Sequence, residues 1–127
     1  MTIRAIDHVN IRAPADDIAK LKQFYCVVIG LSDGWRPEFQ SRGHWLYAGS
    51  QPLVHLVEGD RVRDAGPHAG VDHVSFRSAE LDSFIDRLRV RGIDYQLTEV
   101  PTLGHRQLLT RDPLGIGVEI TAEPAGR

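Results

Sequence analysis

The chain has 127 residues, 42% of them hydrophobic and 25% charged, with a formal net charge of −2 from 15 basic and 17 acidic side chains. These values are typical of one compact folded unit with its own core, and they give no reason to expect nucleic-acid or membrane binding. The single cysteine excludes an intrachain disulfide, and the absence of a recognisable signal or apolar span favours a cytoplasmic location.

One short motif occurs twice. The strand-like segment Asp7–Arg12 returns 65 positions later as Asp72–Arg77, with four of its six residues unchanged. A repeat at about half the chain length predicts one structural unit made twice. The repeat also places a histidine, His8 or His73, at the same point of two matching strands.

An amphipathic helix is expected after each copy of the motif. Apolar side chains follow at helical spacing, and a glycine closes each stripe, Gly30 in the first half and Gly92 in the second. Asp16 and Ser78 stand ahead of the stripes. Their side-chain oxygens can accept hydrogen bonds from first-turn amides, which predicts both as N-caps.

Strand-like runs complete each half. In chain order they are a short run near Arg36–Gln40, then His44–Gly49, Leu53–Glu58, Asp94–Thr98, Arg106–Arg111 and Gly117–Ala122. Their short connections favour antiparallel pairing. The order of one strand, one helix and about three strands, made twice, predicts an α+β fold. It consists of two βαβββ modules, about 1–64 and 66–127, in a single domain that spans 1–127.

The last strand of each module carries a polar residue between two apolar neighbours, Val54-His55-Leu56 and Val118-Glu119-Ile120. Alternation along a strand sends such a residue to the face opposite the apolar core. With the repeated histidines, this gives four candidate metal ligands: His8, His55, His73 and Glu119. Imidazole and carboxylate are ligands that divalent transition metals accept. The alternative is that each is an ordinary hydrogen-bonded or solvated side chain.

The chain resembles the vicinal oxygen chelate superfamily, which includes glyoxalase I, fosfomycin-resistance enzymes, methylmalonyl-CoA epimerase, extradiol dioxygenases and bleomycin-resistance proteins. The segments that carry the resemblance are, in order, Ile6-Asp7-His8-Val9, Phe24-Tyr25, Ile29-Gly30-Leu31, Val71-Asp72-His73-Val74-Ser75-Phe76, Arg106-Gln107-Leu108, Asp112-Pro113-Leu114-Gly115 and Val118-Glu119-Ile120. The resemblance implies two βαβββ modules, each an incomplete barrel, that enclose a metal site. It also implies that two chains pair as a homodimer.

The resemblance assigns the metal ligands to the first and last strands of each module, hence to His8, His55, His73 and Glu119. The chain departs from bacterial glyoxalase I at His55, where that enzyme normally has a glutamate. The dioxygenases and fosfomycin enzymes use two histidines and one glutamate, which matches the set without His55 and leaves its role open. Bleomycin-binding members lack the metal set.

These expectations indicate a metal-dependent enzyme of the glyoxalase kind, with isomerase- or lyase-type chemistry on a small oxygenated substrate and Glu119 as the catalytic base. The histidine-rich ligand set favours zinc, nickel, cobalt or iron over magnesium. Substrate contacts are expected from Asn10, Trp45, Tyr47, Ser75, His105 and Arg106. Two alternatives remain open: an iron(II) extradiol-type dioxygenase, and a metal-free protein that binds a small molecule or antibiotic.

Overall fold

The computed structural model describes residues 5–60, 73–100 and 105–122. The chain divides into two compact units, Met1–Asp64 and Ala65–Arg127, called unit 1 and unit 2 below. Each unit contains a four-stranded sheet and one α-helix, in the order βαβββ. The predicted α+β fold of two such modules is therefore confirmed. No helix within the described ranges is long and apolar enough to cross a membrane.

Unit 1 forms a mixed sheet in the strand order β1-β4-β3-β2. Its elements are β1 (Val9–Ala13), α1 (Ala15–Gln23), a π-helical turn (Phe24–Val28), β2 (Ser32–Gly34), β3 (Gly43–Ala48) and β4 (Gln51–Glu58). Strand β1 is parallel to β4, whereas the β2–β3 and β3–β4 pairs are antiparallel. The chain between the parallel strands β1 and β4 passes through α1, β2 and β3, and the helix provides the crossover that parallel strands require.

Unit 2 repeats this arrangement with the strand order β5-β8-β7-β6. Its elements are β5 (His73–Ser78), α2 (Leu81–Val90), β6 (Gln96–Val100), β7 (His105–Arg111) and β8 (Gly117–Ala122). Strand β5 is parallel to β8, and the last three strands pair antiparallel, as the short connections predicted. The repeat in the sequence is thus a repeat of topology.

Each unit packs its helix on one face of its sheet. In unit 1, Leu46, Val54 and Leu56 point toward α1 and are 0–1% exposed. In unit 2, Val118 and Ile120 are fully buried on the corresponding face. Burying such a side chain contributes about 1.5–3 kcal/mol, so these faces fix which side of each strand faces inward. The face opposite the helix is called the open face below.

One predicted strand was wrong. The run Arg36–Gln40 is irregular, and the second strand of unit 1 lies earlier, at Ser32–Gly34. Pro37 interrupts the run, and proline has no backbone N–H to donate to a strand ladder. The guanidinium group of Arg36 instead donates to the carbonyl oxygen of Ser41 at 3.0 Å, a hydrogen bond within the connection between β2 and β3.

The predicted N-caps were also wrong. Helix α1 begins directly after Pro14, so Asp16 falls in its first turn, where its charge favours the helix dipole instead of capping an amide. Before α2, the Oγ of Ser78 accepts a hydrogen bond from the backbone N–H of Glu80 at 3.0 Å, one residue ahead of the helix. The predicted glycine end is correct at α2, because Gly92 adopts φ 66°.

Helix α1 continues into one wider turn. The backbone N–H of Ile29 donates to the carbonyl oxygen of Phe24 at 3.1 Å, which is the five-residue spacing of a π-helix. Within this turn Phe24, Tyr25 and Val28 are all buried. The turn therefore adds a residue to the helix while its apolar side chains stay in the core.

Candidate functional site

Strand pairing in unit 1 brings three planar rings together on the open face. In the sheet, Asn10 of β1 and Trp45 of β3 both stand opposite His55 of β4. His8 lies just ahead of β1, and its ring stacks on that of His55, with centroids 3.8 Å apart and planes inclined by 10°. His55 stacks in turn on Trp45 at 4.2 Å and 12°. The three rings form one continuous stack, with His55 in the middle.

Hydrogen bonds assign a tautomer to each histidine of this stack. The Nδ1 of His8 lies 2.8 Å from the carboxylate of Asp7, which can only accept, so Nδ1 carries the proton and Nε2 keeps a lone pair. The Nε2 of His55 lies 3.2 Å from the carbonyl oxygen of Pro52 and is protonated by the same reasoning. Neutral His55 therefore presents its lone pair at Nδ1. A carboxylate behind a histidine is a common way to orient a metal ligand.

The stack also changes the ionisation of His55. Burial lowers the pKa of His55, and the nearby charge of His8 lowers it further, while the hydrogen bond to Pro52 acts in the opposite direction. Protonation would place a positive charge in a half-buried ring stack, which explains why the pKa of His55 is lowered. Neutral imidazole is the form that binds metal ions.

Unit 2 pairs an imidazole with a carboxylate on its open face. The Nε2 of His73 lies 3.8 Å from the Oε2 of Glu119, whose side chain is 15% exposed. This distance is too long for a hydrogen bond. Two ligands at about 2.1 Å from a tetrahedral ion lie about 3.4 Å apart, so a small side-chain adjustment would let both bind one ion.

A hydroxyl network supports the carboxylate of Glu119. The Oγ1 of Thr121 donates to Oε1 of Glu119 at 3.4 Å, and it accepts from the hydroxyl of Ser75 at 2.7 Å and the amide of Gln107 at 3.5 Å. Oε1 is thus held, while Oε2 faces His73. Ser75 was predicted from the sequence as a site residue, whereas Thr121 and Gln107 were not. Thr121 was recognisable, because it follows Glu119 by two residues and shares its face.

The remaining predicted substrate residues are distributed differently. Asn10 is exposed on the open face of unit 1, and Tyr47 lies on the same face, where its hydroxyl donates to the carbonyl oxygen of Trp35. Arg106 is exposed and lies two residues before the buried residue Leu108 on the same strand. The two side chains therefore share a face, the helix side of the sheet, away from the face of Glu119. His105 begins β7, but its side chain lies outside the described part of the chain.

The donors occur in pairs within the units. In residues 5–60, 73–100 and 105–122, no three His, Cys, Asp or Glu side chains form a group that could hold a metal ion. The donor types, imidazole and carboxylate, fit a divalent transition metal. The parallel rings of His8 and His55 do not aim at a common point, however, because ring lone pairs lie in the ring plane. These two residues would bind one ion only after the stack opens.

A separate groove lies on the helix side of unit 1. It has a volume of about 510 Å³, and its lining includes Lys22, Cys26 and His44. The carboxylate of Asp33 contacts two of these residues, with its Oδ2 3.1 Å from Lys22 Nζ and 3.3 Å from His44 Nδ1. Burial raises the pKa of the Cys26 thiol, and Asp33 adds to the rise, so the reactive thiolate is disfavoured. His44 is therefore not part of the open face that carries the candidate ligands.

Solved structures with the same fold are numerous. A glyoxylase/bleomycin resistance protein/dioxygenase domain from Frankia sp. EAN1pec is 20% identical, with a TM-score of 0.75 over 99% of this chain and 96% of that one. TnmS3, an antibiotic binding protein from Streptomyces sp. CB03234, is 22% identical, with a TM-score of 0.68 over 96% and 98%. The fosfomycin resistance protein FosX from Listeria monocytogenes, solved with Mn(II) and sulfate, is 15% identical, with a TM-score of 0.66 over 98% and 96%.

Identities this low establish the shared fold alone. No curated protein sequence matches the chain. The family model described as Glyoxalase/Bleomycin resistance protein/Dioxygenase superfamily matches residues 5–120, which include both repeated motifs, all of β4 and most of β8. By this match, which covers nearly the whole chain and agrees with its fold, the chain belongs to the Glyoxalase/Bleomycin resistance protein/Dioxygenase superfamily.

Proposed function

We propose that the protein is a metal-dependent enzyme with isomerase- or lyase-type chemistry on a small oxygenated substrate. Its divalent ion, zinc, nickel, cobalt or iron in preference to magnesium, takes its ligands from His8, His55, His73 and Glu119. The observation that carries the proposal is the approach of His73 Nε2 to Glu119 Oε2 at 3.8 Å. Among the described residues, this largely buried carboxylate pairs with a histidine and with no lysine or arginine, an arrangement that suits a ligand. The Mn(II) in FosX supports a divalent metal in this superfamily.

The chain's own residues have distinct tasks in this proposal. A divalent ion held by these residues would supply Lewis acidity that stabilises negative charge on a substrate oxygen. Glu119, whose Oε1 is held by Thr121, would take up the proton from the carbon next to that oxygen. Asn10 and Ser75 stand opposite His55 and Glu119 in the two sheets, where they can hydrogen-bond to substrate oxygens.

The metal content of two variants tests the ligand assignment. Wild type, His73→Ala and His44→Ala are loaded with zinc, desalted and analysed by mass spectrometry for bound metal per chain. His73→Ala should lose most of its metal. His44→Ala should retain the wild-type content, because its imidazole bonds to Asp33 on the helix side of unit 1. Equal metal content in the two variants would show that the assignment is wrong.

A second candidate is a metal-free protein that binds a small molecule or antibiotic. It is favoured by the ring stack of His8, His55 and Trp45, which leaves the two imidazoles unsuited to bind one ion until they separate. The antibiotic-binding relative TnmS3 has the same fold. Wild-type protein that binds no metal under loading conditions would favour this candidate. Oxygen uptake by an iron-loaded sample with catechols would instead favour an extradiol dioxygenase using His8, His73 and Glu119.

The protein is further proposed to be a homodimer. A small chain whose sheets each have a face not covered by a helix leaves apolar surface that a second copy can bury. Twofold pairing buries the same patch on both copies. Sedimentation at micromolar concentration should give twice the mass of the chain, and a purely monomeric mass would contradict the proposal.

A further inference from the structure

Exposed aromatic side chains gather around the ring stack of unit 1. Trp35 and Phe39, in the connection between β2 and β3, are 72% and 53% exposed. Trp35 meets the indole of Trp45 edge to face, with centroids 6.2 Å apart, and Phe39 lies 6.3 Å from the same ring. Trp35, Phe39 and Trp45 are called the aromatic cluster below. Single exposed apolar residues are ordinary, but a contiguous group of large ones usually marks a binding surface.

The aromatic cluster is held in place by specific contacts. The hydroxyl of Tyr47 donates to the backbone carbonyl of Trp35, which fastens the connection to β3. A Cβ atom at Gly34 would lie 2.7 Å from the Tyr47 ring, so this glycine lets the ring lie against the backbone. On its other side, Trp45 is stacked against His55. The exposed rings are therefore oriented before any ligand binds, which lowers the cost of binding.

The side chain of Arg36 places a positive charge beside the aromatic cluster. The guanidinium group of Arg36 lies 4.8 Å from the centre of the Phe39 ring and donates to the carbonyl and hydroxyl oxygens of Ser41. Its Nε atom is buried and has no hydrogen-bond partner among the described residues. No aspartate or glutamate within residues 5–60, 73–100 and 105–122 forms an ion pair with Arg36. The surface thus combines flat rings with a cation that forms no ion pair to a described carboxylate.

We propose that the aromatic cluster and Arg36 form a binding subsite for a planar aromatic ring that carries an anionic group. Flat rings gain from stacking and edge contacts with tryptophan and phenylalanine, whereas saturated rings gain only from burial of their surface. The charge of Arg36 selects an anion over a neutral molecule of the same shape. The inference rests on the proposed function only in taking the open face of unit 1 as the ligand side, and it does not require a bound metal.

Three probes of similar size separate the contribution of the aromatic rings from that of the Arg36 charge. They are 2-naphthoate, which is planar and anionic, decahydro-2-naphthoate, which is anionic but saturated, and 2-naphthamide, which is planar but neutral. The chain contains two tryptophans, and both belong to the aromatic cluster, so two indole N–H signals in a nitrogen–proton NMR spectrum report directly on the site. Titration of the metal-free protein with 2-naphthoate should shift both signals. The other two probes should bind several-fold more weakly.

Variants then test the residues. Trp35→Leu keeps an apolar side chain but removes the ring, and it should weaken 2-naphthoate binding about 3- to 10-fold, the value of one aromatic contact. Trp35→Phe should restore much of that loss. Arg36→Gln should abolish the preference for 2-naphthoate over 2-naphthamide. Val27→Ala, a change at a 40% exposed apolar residue lining the groove on the helix side, should leave binding unchanged.

Four results would overturn the proposal, the last being a failure of 2-naphthoate to bind at all. The first is equal affinity for 2-naphthoate and its saturated counterpart, and the second is an unchanged affinity in Trp35→Leu. The third is a shift of the indole signals with protein concentration alone, accompanied by loss of self-association in Trp35→Leu, which would identify the cluster as an interface between two copies. If naphthoate fails to bind while His73→Ala still loses metal, the subsite is wrong and the metal site stands. If naphthoate binds while His73→Ala retains metal, the subsite stands and the metal site is wrong.

Discussion

Replacing Thr121 with valine removes a single hydroxyl group and preserves the shape of the side chain. That hydroxyl lies 2.7 Å from Ser75 Oγ, 3.4 Å from Glu119 Oε1 and 3.5 Å from Gln107 Nε2. Only the first contact is short, and a neutral hydrogen bond of this kind contributes about 1 kcal/mol, so the free energy of unfolding should fall by about that amount. The larger effect should be on the metal, because Glu119 loses the donor that fixes one of its oxygens. Loss of such a support typically weakens metal binding about 10- to 100-fold, and the 3.4 Å contact favours the lower value.

Competition with a coloured zinc chelator measures this change directly. Thr121→Val should bind zinc about 10-fold more weakly than wild type, whereas Thr121→Ser keeps the hydroxyl and should bind as wild type does. Urea unfolding of the same samples separates metal affinity from folding stability. If Thr121→Val binds zinc with wild-type affinity while His73→Ala loses it, Thr121 does not orient Glu119. If neither variant changes zinc binding, the ligand assignment itself is wrong.

Three further predictions concern catalysis, ionisation and folding. Glu119→Gln keeps an oxygen for the metal but loses the base, so turnover of a substrate accepted by wild type should fall about 10²- to 10⁴-fold while most metal is retained; equal losses of metal and turnover would argue against a base. Because the folded-state pKa of His55 is lowered, the unfolded chain takes up its proton first as the pH falls. The contribution of neutral His55 to the free energy of unfolding of the metal-free protein should therefore be fully present above the ordinary imidazole pKa of about 6.5 and be lost as the pH falls below it. Urea unfolding between pH 5 and pH 8 measures this decline, which the His55→Gln variant should lack. Gly43→Ala would place a Cβ 2.1 Å from the carbonyl oxygen of Leu56, inside the β3–β4 ladder. This clash should lower the free energy of unfolding by about 3 kcal/mol. An unchanged urea midpoint would contradict this reasoning.

Alternation was enough to predict which strand faces carry the candidate site. His55 stands between Val54 and Leu56, both buried, and the structure accordingly turns it to the open face. The stacking of His55 between two rings was not predictable in this way. It depends on the β3–β4 register that brings Trp45 opposite His55, and on side-chain rotations that no sequence period encodes.

Two features of the site relate differently to the sequence pattern. Strand alternation groups Arg106 with Leu108 on the helix side, so the period of the strand already bears on its expected substrate contact, which stays a prediction. The pairing of Arg36 with Phe39 lies in an irregular connection, where side-chain positions follow from local hydrogen bonds to Ser41 and from no repeating pattern. Such contacts become visible only in three dimensions.

The π-helical turn at Phe24–Val28 marks a place where the chain length of unit 1 can change. A turn of this kind accommodates one more residue than an α-helical turn, and here it ends the helix with Phe24, Tyr25 and Val28 buried in the core. Deleting Cys26 would convert it to regular α-helix, with Leu21 and Val28 still directed at the core. In a natural or designed lineage, a one-residue insertion or deletion can therefore be absorbed here without moving the strands that present His8 and His55. Helix α2 has no such turn, so the same change there would rotate the following residues by about 100°.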